Sequence, residues 1–311
     1  MTTVLLFGGQ GGQMPGMLHE WSFDTRVTAH LDANLDEASA VLGEDARLLD
    51  SPEALMGTRA VQLSLLILQC AIAVALEDEG LRVDIGAGHS LGGWSAAVAA
   101  GALSFTDAVR LVDVRATGMA DAAPGGYGMS AVSGLGESEV ERLASGLRAE
   151  GADAWVTNKN TSTQFTVSGS EEALTRLRGR AADAGATKVV RLAVAVPAHS
   201  PMMDSARDAL TVAAENVTTG TLRYPVLANS TGRLLRRSDK VLADLVASTS
   251  QPVQWSSGIS AISERGVDCW VQTGPGRTLL GMLQDLSCRA RNWSVDGIGV
   301  EEAVARWRVM G

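Results

Sequence analysis

The stretch Gly86-Ala87-Gly88-His89-Ser90-Leu91-Gly92-Gly93 constrains this chain more than any other. It lies between a segment with β-branched residues, Val83 and Ile85, and the small-residue run Trp94 to Gly101. A strand, a Gly-x-Ser-x-Gly turn and a helix make a nucleophile elbow. Gly88 and Gly92 flank the serine because so sharp a turn leaves no room for side chains, and the strained backbone lifts the Ser90 hydroxyl into the open. The helix begins at the nucleophile, so the Leu91 amide points at any oxyanion formed on an attacked carbonyl. The competing reading is a serine in an ordinary glycine-rich βα turn; the strand before and the helix after favour the elbow.

With 311 residues, 46% of them hydrophobic, the chain can bury a large core and form one main domain with a second piece. A net charge of −9 argues against nucleic acid as the main partner, because phosphate binding needs a basic face. Cys70, Cys269 and Cys288 are widely spaced and odd in number, which fits neither a disulfide framework nor a zinc site. The chain therefore reads as cytoplasmic, with no metal and no cofactor expected. Met1 to Phe7 has no basic lead and runs straight into glycines, as a first strand does and a signal peptide does not. The longest apolar stretch, Val61 to Leu76, is interrupted by Gln62, Ser64 and Gln69, so a buried helix is expected rather than a membrane span.

The first strand, Val4 to Phe7, empties into Gly8-Gly9-Gln10-Gly11-Gly12-Gln13. No Gly-Lys-Ser/Thr follows, and position 14 is Met, so neither a P-loop nor a dinucleotide fingerprint fits. Two readings stay open: a second oxyanion wall supplied by the Gln10 amide, or a tight turn. Ser51-Pro52-Glu53 resembles a helix start, Arg59 to Glu79 a long apolar helix, and Ser104 to Asp107 a capping box opening a helix that carries Arg110 and Arg115. From 127 to 196 the rhythm changes to βαββαβ, ending in a strand over Val189 to Val196. The expected fold is α/β: a hydrolase-like main domain with a parallel sheet, residues 1–126 and 197–311, and a ferredoxin-like small domain, 127–196, inserted into it. After the last strand, Cys269 to Gln272, a turn and a helical stretch are expected.

A serine nucleophile needs a base, and the chain has four histidines. His19 and His30 fall in a polar helical region and read as surface residues. His89 adjoins Ser90, where consecutive side chains diverge, so it accepts a proton from it poorly but can line the pocket. His199, between the last strand of the insert and a helix, is the base by elimination; a histidine satisfied within the fold is the competing reading.

These residues together resemble the malonyl-CoA:acyl-carrier-protein transacylases and the acyltransferase domains of polyketide synthases, over essentially the whole chain. Phe7 to Gln13 is similar to the family's Phe-Pro-Gly-Gln-Gly-Ser-Gln, and Gly88-His89-Ser90-Leu91-Gly92 to its elbow. Val112 to Arg115 resembles its arginine helix, Asn160 to Gln164 its Asn-Ser-Pro-x-Gln, and Val196 to His199 its histidine segment. Gln251-Pro252-Val253-Gln254-Trp255 and Gly274-Pro275-Gly276 resemble its two closing signatures. Gly8 stands for the family's proline, Gly93 for its glutamate, Thr161 and Ser162 for Ser-Pro, and Gln251 for its asparagine. Within the family, Gly57 to Ile67, Gly126 to Met129 and the missing acid at Gly93 look most like the transacylase subunit of malonate decarboxylase.

The resemblance implies ping-pong transfer of a malonyl group from malonyl-CoA to an acyl carrier protein. Ser90 would be nucleophile, His199 base, the amides of Gln10 and Leu91 the oxyanion hole, and Arg115 the partner of the malonyl carboxylate; His89 and Asn160 would line the site. It also implies a backbone carbonyl just before Gln251 in place of a triad acid. A thioester hydrolase, a stand-alone polyketide-type acyltransferase and a non-catalytic scaffold are the alternatives. An acidic carrier would need a local basic face on this acidic chain. Two clusters offer one, Arg176, Arg178 and Arg180 or Arg233, Arg236, Arg237 and Lys240, and helical spacing favours the first.

Overall fold

A computed structural model describes residues 1–19, 21, 24–283 and 290–310. Its central strand, β1 (Thr3–Phe7), is buried at every position, as an apolar run in the middle of a parallel sheet must be. On one side it pairs in parallel with β2 (Ile85–Gly88), on the other with β9 (Cys269–Gln272). Beyond these lie β10 (Arg291–Ser294) and β7 (Val226–Leu227), also parallel, and β8 (Leu234–Leu235), antiparallel to β7 at the edge. The strand order is β10-β9-β1-β2-β7-β8. The sequence did not announce β8 or β10: one has two residues, and the other is polar at three of its four positions and exposed at its start.

Helices cover both faces. On one, α1 (Thr25–Leu42), α2 (Thr58–Asp78), α3 (Gly92–Ala99), α4 (Phe105–Ala122), α8 (Ser238–Ala247) and α11 (Gly299–Arg308) share a core. On the other, α9 (Trp255–Ser263) and α10 (Thr278–Met282) pack on Leu6, Ile85 and Trp270. Among the described residues α2 is the one helix long and apolar enough to cross a membrane, and 89% of its most apolar window is buried inside the protein. It begins at Thr58, one residue from the expected Arg59, and the correction falls on the segment before it. Ser51-Pro52-Glu53 opens only a single turn, Ala54–Met56, and the helix begins after Gly57, whose extended backbone (ψ 136°) breaks the run.

A second sheet is formed by β3 (Tyr127–Ser133), β4 (Ala154–Lys159), β5 (Gln164–Ser170) and β6 (Lys188–Arg191) in the order β4-β5-β3-β6, every pair antiparallel. Two helices, α5 (Glu137–Ala149) and α6 (Glu171–Asp183), bury Leu143, Leu147, Leu174 and Leu177 against it in a core of their own. Strand β6 stops at Arg191, five residues short of the sequence expectation. The Arg191 Nη1 donates to the carbonyls of Met129, Leu192 and Val194, which draws the chain off the sheet. The released segment crosses to α7 (Asp204–Ala214), carrying His199 with it. The second sheet is tied to the segment before α9: Val253 bridges β4, with Val253 N–H donating to Thr157 O at 2.8 Å and Lys159 N–H to Val253 O at 2.9 Å.

Candidate active site

Ser90 sits at the carboxyl end of β2, where open parallel sheets place their ligands. Its φ is 54°, a left-handed value for a residue with a side chain. A Cβ on Gly88 would come within 2.0 Å of the Gly92 backbone, and one on Gly92 within 2.0 Å of the Phe7 carbonyl oxygen, so both elbow glycines are steric necessities. The strained peptide is held by a side chain outside every motif. Asn229 Oδ1 accepts the Ser90 N–H at 2.8 Å, and Asn229 Nδ2 donates to Gly88 O at 2.9 Å. The buried carboxylate of Asp244 in turn accepts the N–H groups of Asn229 and Ser230.

His199 also has a left-handed backbone (φ 61°) and is 2% exposed. Its Nε2 lies 2.7 Å from Ser90 Oγ, and its Nδ1 lies 2.5 Å from the Ser248 carbonyl oxygen. A carbonyl only accepts, so Nδ1 carries the proton and Nε2 offers its lone pair to the serine hydroxyl. Burial, reinforced by the nearby Arg115 charge and opposed by the Ser248 carbonyl, pushes the His199 pKa down to about 3. The imidazole is therefore neutral near pH 7. His89 Nε2 bonds Asn160 Oδ1 at 3.0 Å, its ring stands edge-on to Trp255 at 5.3 Å, and burial lowers its pKa. His19 and His30 lie elsewhere, against Asp50 and Asp78.

Arg115 is 1% exposed. Its Nη2 approaches Ser90 Oγ at 3.4 Å and its Nη1 donates to Gln62 Oε1. Its buried Nε has no partner, and no acidic side chain among the described residues pairs with it. Burial lowers its pKa to about 10, so it stays charged near pH 7. Arg110, one and a half turns earlier, is exposed and pairs with Asp107 at 3.1 Å.

The loop after β1 forms the facing wall. Gln69 Nε2 donates to Gly8 O at 2.8 Å, and Ser95 Oγ donates to Gln69 Oε1 at 2.8 Å. Among the described residues neither the Gln10 nor the Leu91 amide N–H has an acceptor in the protein. Ser90, His199, His89, Asn160 and Gln10 line one cleft of about 370 Å³, closed on the far side by β6. Arg115 lies beneath its floor.

Gln62 and Gln69 are sequence-legible in hindsight. They interrupt an apolar run seven residues apart, on one helix face, and both reach the site. Asn229 carried no such signal. Of the basic clusters, the one favoured by spacing is largely engaged within the protein: Arg176 and Arg180 both close on Glu150, and of the three Arg178 alone has no acidic partner among the described residues. Cys70 and Cys269 are buried free thiols, and Cys288 lies outside the described residues. No group of three or more His, Cys, Asp or Glu among the described residues is placed to hold a metal ion.

A mixed α/β body with a serine, a histidine and a buried arginine at the end of its parallel sheet defines the class. The chain belongs to the acyl transferase domain family, whose model matches residues 4–307. It is 34% identical, over 90% of its length and 91% of the relative's, to the malonyl CoA-acyl carrier protein transacylase of Salmonella typhimurium. The crystal structure of FabD from Acinetobacter baumannii superposes with a TM-score of 0.92 at 30% identity, covering 100% of this chain and 99% of that one. A malonyl-transacylase in complex with its type II polyketide synthase acyl-carrier protein superposes with a TM-score of 0.91 at 31% identity, covering 98% and 100%.

Proposed function

We propose that the chain is a malonyl-CoA:acyl-carrier-protein S-malonyltransferase working through a Ser90 ester. The observation that carries this reading is Arg115, a buried guanidinium beside Ser90 Oγ that, among the described residues, meets no carboxylate. Such a charge is costly to bury unpaired, and a substrate carboxylate completes it bidentately. The names of the relatives point to the same acyl group.

His199 Nε2 takes the Ser90 proton as Oγ attacks the malonyl thioester carbonyl. The tetrahedral oxyanion faces the amides of Gln10 and Leu91. Collapse breaks the C–S bond, and the His199 proton goes to the departing CoA sulfur. The carrier's phosphopantetheine-type thiol then gives its proton to His199, attacks the ester, and Ser90 leaves with that proton. Ser248 O holds the imidazole in the required tautomer throughout, the part an aspartate plays in a triad. His89 and Asn160, bonded to each other, line the acyl pocket.

The division into a hydrolase-like body, 1–126 and 197–311, and a ferredoxin-like insert, 127–196, belongs to this reading. Its support is the separate core of the second sheet and the strand order β4-β5-β3-β6. The cytoplasmic placement expected from the sequence belongs to it too. The narrower likeness to a malonate decarboxylase subunit rests on three sequence stretches, and the identity of the carrier separates the two settings.

Intact-mass measurement after incubation with malonyl-CoA tests the reading. Ser90 should gain a malonyl group, the Ser90→Ala protein should not, and holo carrier should discharge it. An adduct that survives in the Ala variant removes Ser90 from its role. Release as free malonate with no carrier acylation would make the protein a hydrolase.

A further inference from the structure

We propose that the outer side of α9, with the hollow framed by Arg233, Arg236 and Arg265, is the docking surface for an acidic carrier protein. This rests on the transfer reading above and says where the second substrate sits. The hollow has a volume of about 290 Å³ and is floored by Gly232, Gly258 and Ala261. All three arginines are exposed, and among the described residues none has an acidic partner. Of the clusters flagged by the sequence, Arg176 and Arg180 pair with Glu150 and Arg237 with Asp239, which leaves Arg178 and Lys240 as single unpaired cations outside the hollow among the described residues. On a chain of net charge −9, three unpaired guanidinium groups around one concavity form a local positive field that an acidic partner would find.

The hollow is also close to the chemistry. Arg233 O accepts the Ala228 N–H, and the next residue, Asn229, holds Ser90. On the other side of α9, Ser256 and Ser260 line a small hollow with Asn160 and Met282, and those last two also line the cleft. Between the hollows α9 presents only short side chains, Ser257 and Ala261. A carrier seated over α9 would therefore set its acidic side chains on the arginines and lead its thiol arm past Asn160 to Ser90.

The test compares Arg233→Glu/Arg236→Glu and Arg265→Glu proteins with wild type, using malonyl-CoA and a bacterial holo acyl carrier protein. The KM for the carrier should rise about tenfold at low salt and its salt dependence should flatten. Ser90 loading from malonyl-CoA and kcat should stay within about twofold, as for rim charges that act on encounter. Arg176→Glu/Arg180→Glu should leave carrier kinetics unchanged. An unchanged carrier KM in the folded reversal variants overturns the proposal. So does a KM for malonyl-CoA that rises in step, which would assign the hollow to coenzyme phosphates. Calorimetric binding of holo carrier to Ser90→Ala protein and to its Arg233→Glu/Arg236→Glu derivative reads docking even if no acyl transfer occurs, so docking and transfer fail separately.

Discussion

Arg115 and His199 share one electrostatic problem. Both are buried beside Ser90, and the fixed charge of the first helps to keep the second neutral. Replacing Arg115 with Ala should leave a bound malonyl carboxylate buried without its partner, at roughly 3 to 5 kcal/mol, and lower malonyl loading by about two to four orders of magnitude. Acetyl loading, which never used the charge, should fall little or rise; equal losses with both thioesters would make Arg115 structural. With the His199 pKa near 3, kcat/KM for malonyl-CoA should be flat from about pH 8 to 5. A carboxylate seated on Arg115 cancels part of the charge that depresses His199, so the acid limb of kcat should lie at higher pH than that of kcat/KM. An acid limb in kcat/KM near the ordinary imidazole value, about 6.5, would show His199 titrating as a solvated side chain.

The elbow depends on what packs behind it. Asn229 fills the space beside Gly93: a Cβ there would come within 2.9 Å of Asn229 Nδ2 and 3.0 Å of Leu245 Cδ2. The family's glutamate at this position thus cannot be grafted here without moving the side chain that holds Ser90. Gly93→Ala should overpack the site by about 1–3 kcal/mol. Because the displaced group is the elbow clamp, kcat for Ser90 loading should drop several-fold with KM nearly unchanged. A variant that loses thermal stability but keeps wild-type kcat would show that Asn229 does not position the nucleophile. The loop after β1 is pinned in the same manner, by Gln69 on the Gly8 carbonyl, where the family has a proline to stiffen it.

Burying a neutral histidine couples the site to the stability of the entire fold. Above about pH 6.5 His199 is uncharged both folded and unfolded and contributes no pH dependence. Below that value the unfolded chain takes the proton first, because the folded pKa is held near 3, so stability falls as pH falls. Urea unfolding at pH 7.5 and pH 5 should show a loss of roughly 1 to 2 kcal/mol from this residue, on the scale of about 1.4 kcal/mol per pH unit. His199→Gln should remove that part of the loss; an unchanged pH dependence in the variant would place the acid sensitivity elsewhere.

Local spacing was enough to reveal the elbow, the buried α2 and the βαββαβ run, because sharp turns and hydrophobic periodicity are properties of neighbouring residues. It also singled out Ser90, His199 and Arg115 as residue types that belong together, the last through resemblance. Where it stopped was at contacts between distant segments. Asn229 meets Ser90 across 139 residues and Gln62 meets Arg115 across 53; the polar break in an apolar run marks Gln62 as unusual, but nothing along the chain names the partner of either. Charge shows the same limit: Arg176 and Arg180 look available in sequence until the fold brings Glu150 against them, while Arg265 joins Arg233 and Arg236 only because α9 lies beside β8. Burial and pairing are set by the neighbours that packing supplies, so which histidine is neutral, which arginine lacks an acid and which basic face is open were decided by the tertiary structure alone.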